Sequence, residues 1–292
     1  MSIRWLAIVN PYAGYSHSAN WQRLFSERLR RELNADVIFT EHRGHATELA
    51  RASNVEGLAV FGGDGTIAEV VNGMNLDQQR LLLLPGGTGN GLARDLRCGS
   101  IEMVIAAANS APLLSLDLII VTFRTQSRVH KRLAISTTSI GYAAEVVALA
   151  NRYFKRLGKW CYPLAATLQA ARQTAFPLRV SVDDGKLLER QLSNIMVNNT
   201  RHAGNFSAFR ASNLSDGLME MLLARSNFTG QFLHNLAVLT KTYFYQTAAE
   251  ISVRRLSVAL LSPQRLMIDG ELWENVIEAS FEVLPGKLRC VA

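Results

Sequence analysis

Residues 57–74 read GLAVFGGDGTIAEVVNGM, and residues 81–96 read LLLLPGGTGNGLARDL. In each, a short apolar run (58–61, then 81–84) breaks into a glycine loop. The first loop is Gly62-Gly63-Asp64-Gly65-Thr66 and the second is Gly86-Gly87-Thr88-Gly89-Asn90-Gly91, each followed by residues able to start a helix. A strand, a backbone-exposing turn and a helix start form a natural anion site, because unpaired N–H groups and the helix dipole converge on one point. Two such loops on neighbouring strands imply a cradle for a polyphosphate. A plain-turn reading competes at each loop, since glycine takes positive φ without steric cost. Two threonine-bearing loops, each placed after an apolar run, weigh against it. Gly63-Asp64-Gly65-Thr66-Ile67-Ala68 also fits the G-x-G-x-x-A dinucleotide fingerprint. That motif wants an acid closing the next strand, and here Leu84 runs into Pro85-Gly86. No Walker A loop occurs, so the loops point to a different phosphate-binding scheme.

The remaining composition bounds the class. A length of 292 residues suggests about two domains, each large enough to bury a core. Hydrophobic residues at 48% and charged residues at 19% describe an ordinary globular chain. No apolar run approaches the roughly 20 residues that span a bilayer, and the apolar start suits a first strand better than a signal peptide. Cys98, Cys161 and Cys290 show neither metal spacing nor a disulfide framework, which fits a reducing cytoplasm. A net charge of +7 favours anionic surfaces without choosing among them.

Up to about residue 112, apolar runs at 5–9, 36–40, 58–61 and 81–84 alternate with helical stretches at 21–33, 46–52, 67–74 and 101–109. This alternation predicts a doubly wound parallel-sheet nucleotide domain over 1–112, with its ligand at the carboxyl ends of the strands. Beyond it, runs at 116–123, 132–138, 178–182, 191–197, 218–223, 250–257 and 264–268 read as strands separated by turns. They predict an antiparallel β-sandwich acceptor domain over 113–284. Helices are expected at 145–173 and 229–243, and further strands at 276–284 and 287–291.

Asn10-Pro11-x-x-Gly14, the Gly62–Thr66 loop and Leu84-Pro85-x-Gly87-Thr88-x-Asn90 together resemble the signature of the diacylglycerol kinase catalytic-domain family. That family includes bacterial lipid kinases, sphingosine kinases and ceramide kinases. The GGDGT loop alone is shared with NAD kinases and phosphofructokinases. The resemblance extends to Thr40 with Gly44-His45-Ala46-x-Glu48-Leu49-Ala50, to Gly141-Tyr142-x-Ala144-Glu145, to Ser215-Asp216-Gly217-Leu218-Met219-Glu220 and to Asp269-Gly270-Glu271. It implies ATP and Mg²⁺, and a tail at 285–292 that packs back on the first domain. Asn10, Pro11, Thr40, Gly62, Gly63, Asp64, Gly65, Thr66, Gly87, Thr88, Asn90 and Arg94 would meet the nucleotide. Asp64 would hold Mg²⁺ on the phosphates; as a plain turn residue it would instead cap the following helix. Asp269 or Glu271 would be the base, with both carboxylates on one face of an extended segment; a bare D-G-E is otherwise a hairpin turn. Asp216 would hold a structural Mg²⁺ with carbonyls around Asn213 and Leu218. Where the family's second loop reads G-T-x-N-D, this chain has Gly91, which lacks that carboxylate; Asn90 and Arg94 are retained.

The stretch 152–162 mixes Arg152, Lys155, Arg156 and Lys159 with Tyr153, Phe154, Trp160 and Tyr162. Such a segment suits an anionic lipid interface as well as it suits a solvated helix face. Nucleic-acid binding is disfavoured, because the basic residues are dispersed and no binding module occurs. No histidine pair has metal-ligand spacing, and no G-x-S-x-G elbow occurs. The sequence therefore reads as an ATP- and Mg²⁺-dependent lipid kinase, cytoplasmic, with peripheral membrane contact and a homodimer left open. The alternatives are an NAD-kinase-type metabolite kinase and a catalytically impaired nucleotide- or lipid-binding regulator.

Overall fold

In the computed structural model, residues 3–14, 18–86, 91–172, 174–203, 206–207, 209, 211–225 and 250–291 are described. Strands β1 (Trp5–Val9), β2 (Ala35–Phe39), β3 (Gly57–Gly62) and β4 (Arg80–Pro85) form a parallel sheet in the order β4-β3-β1-β2. Leu6, Ile8, Leu58, Val60, Leu81 and Leu83 pack one face against Ala46 and Ala50 of α2 (His45–Ala52) and Ile67 and Val70 of α3 (Asp64–Val71). Trp5, Ala7, Val9, Ala59, Phe61, Leu82 and Leu84 pack the other face. There they meet Phe25, Leu29 and Leu33 of α1 (Ala19–Leu33) and Val104 and Ile105 of α5 (Ile101–Ala107). Burial on both faces is why these strands read as unbroken apolar runs. Ser18 and Ser100 cap α1 and α5 by accepting the amides of Trp21 and Met103. The short helix α4 (Gly91–Asp95) follows β4.

From Leu114 the pairing becomes antiparallel. The strands are β5 (Leu114–Thr125), β6 (Val129–Ala134), β7 (Thr137–Gly141), β8 (Phe176–Val182), β9 (Leu188–Leu192) and β10 (Asn194–Asn198). They continue with the two-residue β11 (His202–Ala203) and β12 (Phe206–Ser207), then β13 (Met219–Ala224), β14 (Glu250–Val253), β15 (Arg255–Ile268) and β16 (Glu271–Val291). A separate core, including Ile119, Val121, Phe123, Leu256, Val258 and Phe281, fills this lobe. The two lobes share one hydrogen-bonded sheet: β16 pairs antiparallel with β5 and β15, then Cys290 and Val291 run parallel beside Leu81 and Leu82 of β4. The Asn72 side chain adds a second tie, exchanging hydrogen bonds with the backbone N–H and C=O of Leu133 at 2.9 and 2.8 Å.

Several elements differ from the sequence reading. Helix α3 begins at Asp64 and closes at Val71, so the end of the first glycine loop lies inside the helix. Extended Gly63 is its N-cap, and Gly65 and Thr66 complete the first turn. The run 132–138 is two strands, because the amides of Ile135 and Ser136 leave the ladder to bind the Asp269 carboxylate. The run 191–197 breaks at Ser193, whose amide goes to the Ala224 carbonyl. The run 250–257 breaks at Arg254, and β15 is continuous through 258–263, which the sequence reading left unassigned. The helix expected over 145–173 becomes α6 (Tyr142–Leu149), a π turn (Ala150–Phe154), a 3-10 segment (Lys155–Trp160) and α7 (Cys161–Ala170). Gly158, at φ 52°, makes the break. The helix expected at 229–243 lies outside the described residues.

Candidate active site

The carboxyl ends of β1, β2 and β3 lie level. The Asn10 amide donates to the Phe61 carbonyl at 2.8 Å and the Thr40 amide to the Val9 carbonyl at 2.9 Å. Asn10 Nδ2 donates to Thr66 Oγ1 at 3.0 Å, and Asn10 Oδ1 accepts the Tyr12 amide at 2.9 Å across Pro11. Asn10 thus joins the β1 turn to the first glycine loop. A Cβ on Gly62 would come within 2.5 Å of the Thr66 Cβ, so this position must be glycine for the loop to fold back on its helix. A Cβ on Gly65 would meet nothing within 4 Å, and the same holds for Gly44 and Gly270. These three glycines border open space.

Asp64 does not cap its own helix. Its Oδ2 accepts the Gly91 amide at 3.1 Å and its Oδ1 the Leu92 amide at 3.4 Å, which ties the first loop to the start of α4. Gly87, Thr88 and Asn90 lie outside the described residues. Arg94 sits on α4 beside Asp95 and Arg97, where it lines a cavity with Arg201 and Ser212.

Asp269 and Gly270 form the two-residue turn between β15 and β16, with φ 46° and 86°. Positive φ at both positions is the type I′ geometry that Asp-Gly favours. The D-G-E is therefore a hairpin, and Asp269 and Glu271 do not share one extended face. The turn also builds a site. Asp269 Oδ2 accepts the Ile135 amide at 2.9 Å, while Oδ1 accepts those of Ser136 and Thr137 at 3.0 Å each. Burial pushes the Asp269 carboxyl up to about 7; the Asp64 charge adds to the rise, and the three amides pull against it. Asp64 is thus near enough for its charge to act on the Asp269 carboxyl. Glu271, just past the turn, has a side chain 44% exposed and faces Arg43 at 3.6 Å from the loop before α2.

Asp216 Oδ1 accepts the Leu218 amide at 3.0 Å, and Asn213 Oδ1 accepts the Ser215 amide at 3.2 Å, so both lie in one folded loop. Among the described residues no three His, Cys, Asp or Glu side chains gather as a metal cluster. A sparse carboxylate set still fits Mg²⁺, which keeps several waters and takes one or two carboxylates together with substrate phosphates.

The sequence reading missed three groups. Asp117, 2% exposed, accepts the Gly217 amide on Oδ2 and the Gly286 amide on Oδ1, each at 2.7 Å, and so locks the 214–217 loop to the returning tail. Its signal was a lone acid within the apolar run 116–121. Asp95 on α4 accepts the Arg201 amide at 2.7 Å and pairs with His202 Nδ1. The His202 carbonyl in turn accepts from Thr200 Oγ1 at 2.9 Å, and Thr200 Oγ1 meets Ser136 Oγ at 2.9 Å beside the Asp269 nest. Arg43 is the third. Neither Arg43 nor the Asp95–His202 pair had a local sequence signal.

A parallel sheet with a glycine turn after β3, joined to an antiparallel lobe that carries a carboxylate hairpin, makes a fold of two lobes. Residues 4–119 match the model of the diacylglycerol kinase catalytic domain, and residues 136–292 match that of the YegS C-terminal NAD kinase beta sandwich-like domain. The chain belongs to the diacylglycerol kinase family. It is 25% identical over 235 residues to a diacylglycerol kinase of Bacillus subtilis (strain 168), covering 78% of this chain and 75% of that one. With sphingosine kinase 1 of Homo sapiens it shares 29% over 188 residues, 58% of this chain and 48% of the other. A crystal structure of a diacylglycerol kinase from Bacillus anthracis str. Sterne has the same fold, at TM-score 0.70 and 19% identity over 99% of this chain and 96% of that one. The chain spans 35%, 65% and 27% of the lengths of the first curated relatives it matches.

Proposed function

We propose that this protein is an ATP- and Mg²⁺-dependent lipid kinase that moves the γ-phosphoryl group of ATP to a hydroxyl of a diacylglycerol-like or related lipid. The observation that carries this reading is a pair of carboxylate-bearing turns from separate lobes, Asp64 after β3 and Asp269 in the β15–β16 hairpin, close enough for the charge of the first to raise the carboxyl of the second. Phosphoryl transfer to an alcohol requires phosphate binding, charge stabilisation and a base at the acceptor. The backbone of Gly62, Gly63 and Gly65, with Thr66, Gly87, Thr88 and Asn90, binds the phosphates, while Asn10, Pro11, Thr40 and Arg94 complete the nucleotide site. Asp64 would hold Mg²⁺, and the ion would supply charge neutralisation on the transferring group. Glu271 takes the acceptor's proton: its side chain is part-exposed and, among the described residues, held only by the ion pair with Arg43, whereas both Asp269 oxygens are engaged by backbone amides. Asp269 holds the turn that aims Glu271. Asp216 Oδ2 has no partner among the described residues, and we assign it, with the backbone of Asn213 and Leu218, to a structural Mg²⁺.

We place the nucleotide domain at 1–112, the acceptor domain at 113–284 and the returning tail at 285–292. Tyr153, Leu157, Trp160, Tyr162, Leu164 and Leu168 are exposed on the segment between α6 and α7 and its continuation, among the cations of 152–159. We assign this face to peripheral contact with an anionic membrane. No helix among the described residues is long and apolar enough to cross a membrane. Three free cysteines fit a cytoplasmic setting.

The test is incubation with labelled ATP and a panel of lipids, NAD and sugars. Label in a lipid hydroxyl is the expected result. NAD belongs in the panel because the second matched model is NAD-kinase-like, and label in NAD alone would overturn the lipid reading. ATP binding without turnover would favour the regulator, motivated by Gly91 in place of the family's carboxylate.

A further inference from the structure

A cavity of about 420 Å³ is bounded by the segment 94–97, the start of β5, Arg201 and His202, and the 212–215 loop. Three guanidinium groups, Arg94, Arg97 and Arg201, line it against a single carboxylate, Asp95. Asp95 makes no ion pair with Arg97 or Arg201; its oxygens accept from His202 and from the Arg201 and His202 amides. Arg201 Nε is fixed on the Ser212 carbonyl at 3.1 Å, and its two Nη groups have no partner among the described residues. Arg97 forms no side-chain bond to any described residue.

The backbone at Arg97 sharpens the case. Its φ is +53°, and the Arg97 and Cys98 amides bond the carbonyls of Arg94 and Ala93 at 3.0 and 2.8 Å. That is a helix-ending motif whose left-handed position normally holds glycine. An arginine there costs roughly 1–2 kcal/mol of backbone strain, and strain of this kind points to a role for the side chain. Attraction to the carbonyl end of α4 offsets little, since that helix has five residues. Ser212, 3% exposed, also lines the cavity, with its Oγ beside the Glu220 carboxylate.

We propose that this cavity binds a phosphate ester through Arg97 and Arg201, beside the nucleotide site with which it shares Arg94. Guanidinium groups grip phosphate oxygens by paired N–H donors, and the volume lies in the range of small-ligand pockets. It accommodates a phosphate with a small alcohol portion. The ester could be a soluble metabolite or a phospholipid headgroup.

Calorimetric titration with sn-glycerol 3-phosphate, monomeric dihexanoyl phosphatidic acid and inorganic phosphate tests this, with a non-hydrolysable ATP analogue present to occupy the nucleotide loops. The wild-type protein should bind at least one ester. Arg201→Gln and Arg97→Gly should each weaken it at least tenfold, and Arg201→Lys should weaken it less than Arg201→Gln. Arg97→Gly relieves the left-handed strain, so its melting temperature should hold or rise while binding falls. This separates a binding role from a structural one. Tighter binding of glycerol 3-phosphate marks a soluble source, and tighter binding of the phosphatidic acid marks a lipid headgroup; either supports the site. Failure of all three probes to bind wild type, or undiminished binding in the folded Arg97→Gly variant, overturns it. Because no turnover is read, failure of the kinase reading leaves this result standing.

Discussion

Asp64 and Asp269 occupy comparable places in two unlike lobes: each stands at a strand end, and each accepts backbone amides. Asp64 accepts two, from Gly91 and Leu92 of its own lobe. Asp269 accepts three, from consecutive residues where the chain passes from β6 to β7. Hydrogen bonds to a carboxylate favour its charged form, so the bond count alone would make Asp269 a strong acid. It titrates instead at about 7, because burial, reinforced by the Asp64 charge, outweighs the amides. Access to water decides the charge state here, and the number of donors does not. A group poised at that pH is placed where an enzyme would use it.

The largest effect should come from the hairpin. Glu271→Gln should lower the single-turnover rate by roughly 10²–10⁴-fold and leave calorimetric ATP affinity unchanged. Because Asp269 and Glu271 act together, combining Asp269→Asn with it should cost less than the product of the single losses. Wild-type rates in all three variants would remove the hairpin from the chemistry.

Asp64→Asn should cost roughly 10²–10³-fold in rate, the usual size of one lost charge-stabilising group, and much less in ATP binding. Equal loss of both would make Asp64 a nucleotide-binding residue only. The glycines next to it separate space from fold. Gly65→Val projects into open space, so it should melt like wild type yet lose ATP binding, whereas Gly62→Ala collides with Thr66 and should lower the melting temperature.

The pH dependence of Asp269 tests the comparison directly. Its carboxyl should titrate near 7 by carbon NMR, and Asp64→Asn should move the midpoint down by removing a neighbouring negative charge. In the unfolded chain the group titrates near ~3.9, so between about pH 4 and 7 the folded state holds the proton more tightly. The protonated group's contribution to stability is therefore lost as pH rises through that window and is flat above it. A fall in melting temperature across the window that persists unchanged in Asp269→Asn would refute the assignment. The smallest effect belongs to Arg43→Gln. An exposed ion pair is worth up to about 1 kcal/mol, so the rate should change by no more than about fivefold.

Much of the site was legible because it is local. The strand–loop pattern located Gly62–Thr66 at the end of β3, and Asp-Gly foretold the hairpin turn. Asp64 shows where local reading stops: the sequence offers it as a Mg²⁺ ligand or as a cap for its own helix, but its partner Gly91 is brought near only by the parallel β3–β4 pairing. Likewise the break in 132–138 has no local cause. It exists because a carboxylate more than 130 residues later takes the amides of Ile135 and Ser136.

By itself, then, the sequence determined the alternation of strand and helix in the first lobe, the strand-rich second lobe, the glycine turns and the family signature. All of these are written in periods and turn chemistry that act over a few residues. Only the tertiary structure decided the rest. It set Asp269 near Asp64, tied Glu271 to Arg43, buried Asp117 beneath two loops, returned the last strand to β4 and enclosed the arginine-lined cavity. Each of these joins residues far apart in the chain. Their charge states and partners follow from burial and proximity, which exist only once the sheet has closed.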